Sequence, residues 1–198
     1  MPHKRMKPAK ILPPRVTDIP EAKLTPPQRA FREGVMASRK MPGLRGPFAI
    51  WVHAPEYGDL AQRLGEHCRF KSGLPPRLSE FSILVIAKIW RAQFEWYAHA
   101  PIAEKAGVSK QTVKDVQAGR APKKAAKDER AIYDFIAELH RTKRVSDKTY
   151  ARVHAFLGDA GMVEFTGILG YYTLVSIALN VFRSPLPAGE KLPFRESA

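Results

Sequence analysis

Residues 79–99, "SEFSILVIAKIWRAQFEWYAH", carry the clearest helical pattern in the chain. At about 100° per residue, Ile83, Ile86, Trp90 and Phe94 fill one arc of the predicted helix. Glu80, Leu84, Ala87, Arg91, Glu95 and His99 fall within roughly 140° of one another on the adjoining arc. That second arc gathers two carboxylates, a guanidinium and an imidazole along the border of a candidate core. Helical spacing then predicts further helices over 100–106, 109–117, 128–142, 146–157 and 161–181. Gly107 and Gly158 stand where helices should stop, and Ser109 and Ser146 where they should start.

Upstream, "TPPQRAFREGVMASR" predicts a short helix with Thr25 as N-cap and proline in its first turn. "MPGLRGPF" reads as a loop, and "APEYGDLAQRLGEHCRF" as a helix with Leu60, Leu64 and Cys68 at apolar spacing. The prolines of "SGLPPRLSE" separate it from the helix that follows. No stretch alternates long enough to predict a sheet, and no internal repeat is present. The expected fold class is all-α, built from helical hairpins. Three parts are expected: a basic proline-rich arm over 1–27, one all-α domain over 28–187, and a tail over 188–198.

At 198 residues and 44% hydrophobic, the chain can bury one substantial core. No uninterrupted apolar run reaches the roughly 18 residues a membrane span needs. "GILGYYTLVSIALNVF" is broken by Gly170 and Ser176, so a buried core helix is expected and no membrane partner. The lone Cys68 excludes an internal disulfide framework and a CxxC pair, and it suits the core better than catalysis. A reducing cytoplasm is the expected setting. The basic, acid-free first 17 residues also fit an organellar presequence, which Pro2, Pro8, Pro13 and Pro14 work against.

The net charge of +14 is uneven: residues 1–45 hold 11 Lys/Arg against Asp18, Glu21 and Glu33. Much of the excess therefore sits on the arm, which is expected to meet a neighbouring protomer, phosphates or an acidic partner.

Three readings fit the spacing of Arg91, Glu95 and His99. The first is a solvated ladder of i,i+4 pairs, each worth about 0.2–0.5 kcal/mol. The second is acid–base chemistry: a carboxylate beside aromatic rings loses hydration, and histidine already titrates near neutrality. Arg91 would then hold an anionic substrate. The third is a metal site, which needs a further ligand such as His53 or His140. Metal and cofactor are not expected. Trp51, Trp90, Trp96, Tyr171 and Tyr172 are candidate pocket walls, with Trp96 and Tyr172 taken as substrate-binding because Gly170 permits close approach before the tyrosine. Ser176 and Asn180 need hydrogen-bond partners if buried. His53, Arg45 and Arg77 read as structural, surface or interface groups.

The motif resembles the core of the alkyl hydroperoxidase D and carboxymuconolactone decarboxylase superfamily. Redox members of that superfamily place a glutamate, eleven residues, a cysteine, two residues, a cysteine, three residues and a histidine. The same register here reads Glu80, Ala92, Glu95, His99, so both cysteines are replaced. "GPFAIWVHAPEYGDLAQRLGEHCRFKSGLPPRLSEFSILVIAKIWRAQFEWYAHAPIAEKAGVS" and "GMVEFTGILGYYTLVSIALNVFRSPLP" look like its cysteine-free branch. The resemblance implies an all-α fold with its site around the motif helix, assembled as a homo-oligomer, a trimer or hexamer. Without the thiols, disulfide peroxidase chemistry does not carry over. What carries over is a Glu80–His99 relay with Glu95 beside it, suited to decarboxylation or proton transfer on a small carboxylated substrate. In that scheme Arg91 holds the substrate carboxylate, His99 delivers the proton, and the glutamates set the imidazole's charge and tautomer.

Three rivals stand beside it. One is a peroxidase-like relative using chemistry other than CxxC. "IAEKAGVSKQTVKDVQAGR" resembles a helix-turn-helix with Lys110, Gln111 and Lys114 outward. Because it hangs directly from the motif helix, nucleic acid is not the expected partner. The last is a non-catalytic oligomeric scaffold.

Overall fold

The computed structural model describes residues 12–195. The first 11 residues of the predicted arm lie outside that range. Among the described residues the chain forms eight α-helices and no strands: α1 Pro26–Arg39, α2 Pro47–Trp51, α3 Pro55–Glu66, α4 Pro76–Trp90, α5 Gln93–Lys105, α6 Lys110–Gln117, α7 Lys127–Thr142 and α8 Asp147–Phe182. The expected all-α class holds.

Helix α4 is the axis of the bundle. Its residues from Leu78 through Ala87 are all buried, because α5, α6, α7 and α8 pack around it. A helix that is apolar all round has to be interior. Phe81, Ile83, Leu84 and Ile86 meet Ile132 and Ile136 of α7 and Phe165 and Ile168 of α8 in one core. Arg77 pins this arrangement, donating to Asp128 (2.6 Å) and to the buried Glu129 (2.7 Å) at the start of α7. It is thus a strut between helices, where the sequence suggested a surface or interface charge.

The single helix predicted over 79–99 is two helices. Arg91 adopts a left-handed conformation (φ 51°), and the Ala92 N–H returns to the Ala87 carbonyl at 2.9 Å. This Schellman-type stop, with Ala92 and Ala87 both fully buried, ends α4 without the glycine that normally marks such a turn. The break matters to the chemistry. On one straight helix Glu80 and His99 would lie about 28 Å apart along the axis; folded into the α4–α5 hairpin, they touch.

Elsewhere the predicted signals act as expected. Ser109 caps α6, accepting from the Thr112 N–H (3.1 Å), and Gly158 (φ 64°) bends the run from Asp147 to Phe182 into two helical segments. The downstream segment of α8 is long and apolar enough to cross a membrane by composition alone, with mean hydropathy 1.5. It faces the core through Phe165, Ile168, Leu169, Tyr172 and Val175. α6 buries Thr112, Val113 and Val116 against the bundle, leaving Lys110, Gln111 and Lys114 exposed.

One expectation needs correction. Leu60 and Leu64 are 65% and 51% exposed, and α3 packs through Gly58, Ala61, Gln62 and Gly65 instead. Small residues let this helix approach Trp51 and Tyr171 closely. The segment after 187 packs against the helices: Phe194 is buried against Trp96 and exchanges two hydrogen bonds with the Gln93 amide. The arm joins the same body, since Leu24 is core and the Arg15 N–H donates to the Phe182 carbonyl (3.0 Å).

Candidate active site

The hairpin turns Glu80 of α4 and Glu95 and His99 of α5 toward one another. The His99 Nδ1–H donates to Glu80 Oε2 at 2.6 Å, and Nε2 lies 3.1 Å from Glu95 Oε1. All three side chains are at least nine-tenths buried. The ring of Tyr172 meets the imidazole edge-on at 5.4 Å between centroids. Burial alone would drive the imidazole toward its neutral form. The charge of Glu95, the hydrogen bonds to Glu80 and Glu95, and the charge of Glu80 outweigh it, raising His99 from 6.5 to about 9. At pH 7 the ring is therefore an imidazolium holding both protons. Glu95 also sits in the first turn of α5, where the helix dipole favours a negative charge.

The triad borders a cavity of about 590 Å³. Glu95, His99 and Tyr172 face it, whereas Glu80 stands behind the imidazole and does not. The group has a wet side and a dry side.

Two predicted binding residues are elsewhere. Arg91, turned out by the helix break, is exposed and lines a separate cavity of about 650 Å³ beside Trp90, Asn180 and Arg183. Trp96 is core, 3% exposed and packed edge-on against Phe194. Asn180 donates to the Trp90 carbonyl at 2.6 Å, while the buried Ser176 hydroxyl has no partner among the described residues. The further ligands of the metal reading point to other tasks: His53 lies 3.2 Å from the Thr17 carbonyl, and His140 is at the end of α7. Cys68 is buried, and burial pushes its thiol above the ordinary range.

In place of Arg91 the cavity draws on three guanidiniums the sequence did not single out for it: Arg39 from the end of α1, Arg45 from the loop before α2, and Arg69. Arg69 lies in a single π-helical turn, His67–Lys71, that continues α3 and sets Arg69 and Phe70 on the cavity wall. Insertions of this kind re-aim side chains and recur at functional sites. Arg39 lies over the Phe48 ring, 4.6 Å from its centroid, and donates from Nη2 to the Gln62 carbonyl at 3.0 Å. Tyr171 completes the wall. Its hydroxyl occupies the space where a Cβ on Gly65 would sit, and burial holds its pKa well above the usual phenol range.

With this geometry in place, the comparisons with known proteins are specific about kinship and silent about substrate. Residues 55–138 match the Carboxymuconolactone decarboxylase family. The fold is shared with a peroxidase-related protein of Ralstonia eutropha JMP134, described as an alkylhydroperoxidase AhpD core (15% identity, 91% of this chain and 94% of that one, TM-score 0.74). It is shared too with a peroxidase-related protein of Silicibacter sp. TM1040 (13% identity, 93% and 96%, TM-score 0.70). A third is a putative antioxidant defence protein AhpD of Agrobacterium tumefaciens (19% identity, 70% and 96%, TM-score 0.63). No curated protein sequence matches. The segment around the motif helix thus resembles the carboxymuconolactone decarboxylase family, and the fold is that of AhpD-like proteins. The chain has a single cysteine, Cys68, outside the Glu80–His99 motif.

Proposed function

We propose that the chain catalyses acid–base chemistry, decarboxylation or a related proton transfer, on a carboxylated carbon acid. The observation that carries this reading is the Glu80–His99–Glu95 triad, buried yet open on one side to a cavity large enough for a substrate. An imidazolium with one N–H tied to Glu80 shares its second N–H with Glu95 at the cavity wall, 3.1 Å away. In a decarboxylation the C–C bond breaks, CO2 leaves, and its electron pair forms an enolate. Nε2 then delivers its proton to the carbanionic carbon or enolate oxygen, and solvent restores it. In a proton shift Glu95 removes the carbon-bound proton and His99 stabilises the resulting charge. Glu80 positions the ring without touching substrate. The Arg91 part of the earlier scheme passes to the cavity arginines. Where CxxC relatives hold the thiol nearest the histidine, this chain holds Glu95, so the same position offers proton transfer without a redox couple.

The test is release of CO2 and incorporation of solvent deuterium across a panel of carboxylated lactones and β-keto acids, followed by mass spectrometry and NMR. Turnover that His99→Gln abolishes in a folded protein supports the proposal. Turnover of a verified substrate that survives His99→Gln undiminished, or no exchange and no CO2 across the panel, refutes it.

A further inference from the structure

The cavity has two chemically different ends. Glu95 and His99 mark one; Arg39 and Arg69 mark the other, with the Tyr171 phenol between, close enough to feel both Arg39 and Glu95. Arg39 is half-buried and incompletely paired. Nη2 is spent on a backbone carbonyl, and among the described residues the buried Nε has no hydrogen-bond partner and no carboxylate pairs with the group. Glu66, the acid whose charge reaches it, is taken by Lys71 at 2.8 Å. Arg69 lies near enough to oppose Arg39 electrostatically and, among the described residues, is likewise without an acidic partner. A half-buried guanidinium with an unpartnered donor is costly to keep, and an incoming anion supplies the missing acceptor.

The walls between the ends are flat and apolar. Phe48 and Phe70 flank Arg39, with centroids 4.6 and 5.8 Å from its Cζ, and Phe94, Tyr97, Tyr171 and Tyr172 continue the lining. A volume of about 590 Å³ would hold about twenty waters at roughly 30 Å³ each. A three-carbon acid would leave most of that space wet; an aromatic ring would fill it against the phenyl and phenol faces.

We infer that Arg39 and Arg69 form an anion clamp for an aryl-bearing carboxylate, whose ring lies among Phe48, Phe70 and Tyr171 and whose reacting carbon reaches Glu95 and His99. The carboxylate at the clamp is a handle, not the group that reacts. This rests on the acid–base reading for the identity of the reacting end, but the clamp is tested by binding alone.

Titration calorimetry of the full chain with 3-phenylpropionate, its amide and propionate tests the inference. 3-Phenylpropionate is expected to bind at least tenfold more tightly than either the amide or propionate. Arg39→Gln should weaken the acid at least tenfold, with Arg39→Lys intermediate, while leaving the amide unchanged. Arg69→Gln, at a more accessible position, gives the same readout if Arg39→Gln fails to fold. His99→Gln should keep the affinity for the acid, so loss of turnover in that variant bears on the proton chemistry and not on the clamp. Equal affinity for acid and amide, equal affinity for acid and propionate, no binding of the acid, or full affinity in a folded arginine variant would each overturn it.

Discussion

His99 should make the protein lose stability as the pH rises from neutrality, and the sign follows from its surroundings. The imidazole titrates at about 9 in the fold, against 6.5 for a free side chain. A proton held more tightly by the folded state favours folding. The contribution is complete below pH 6.5 and disappears as the pH rises through about 9. A displacement of this size, at 1.36 kcal/mol per pH unit, amounts to about 3 kcal/mol, a large share of a typical folding free energy. The measurement is urea denaturation at pH 6 to 10 for the wild type and His99→Gln, with the difference taken at each pH to cancel the other titrating groups. Across pH 6.5–9 the wild type should fall relative to the variant with a slope near one proton. The variant should also be less stable at pH 6, because Glu80 and Glu95 lose the cation between them. NMR titration of the His99 ring protons supplies the direct check. A midpoint below 7, or parallel stability curves for the two proteins, would show that the carboxylates do not outweigh burial.

Other consequences can be measured singly. Arg77→Ala leaves the buried Glu129 without its cation and should cost about 2–3 kcal/mol in chemical denaturation, at the low end for a broken ion pair because Arg77 is partly exposed. Ligand affinity should hardly change. Gly65→Ala forces a methyl into the Tyr171 hydroxyl, so it should lower the melting temperature by several degrees and weaken any cavity ligand; an unchanged melt would refute the close approach. Arg91→Gly relieves a left-handed non-glycine position and should raise stability by up to about 1 kcal/mol without changing turnover. If Arg91 held substrate, that variant would instead lose activity.

The relation between sequence and structure differs from residue to residue. Glu80, Glu95 and His99 were legible because the superfamily register sets them at fixed separations in an apolar segment. Arg91 was misplaced because helical periodicity runs unbroken across 90–93, and the stop is made by backbone hydrogen bonds and two buried alanines with no glycine to announce it. Trp96 has the composition of a pocket wall, but the C-terminal segment claims it through Phe194. Arg39 and Arg69 come from separate elements upstream of the motif, so no local spacing joins them. The available hint was the Arg69–Phe70 pair, whose guanidinium sits 5.2 Å from the ring centroid. On α3 the leucines drew attention as the apolar face, whereas Gly58, Ala61 and Gly65 carry the contact because proximity, not bulk, was required.

The imidazole is tied to Glu80 on its interior side and borders the cavity beside Glu95. A ligand that fills that cavity covers the side of the ring that borders it. A hydrogen lifted from the ligand then exchanges with solvent more slowly and can return to the same molecule before it is lost. Turnover in heavy water would therefore leave part of the original label in the product, and the retained fraction would measure how tightly the ligand seals the entrance.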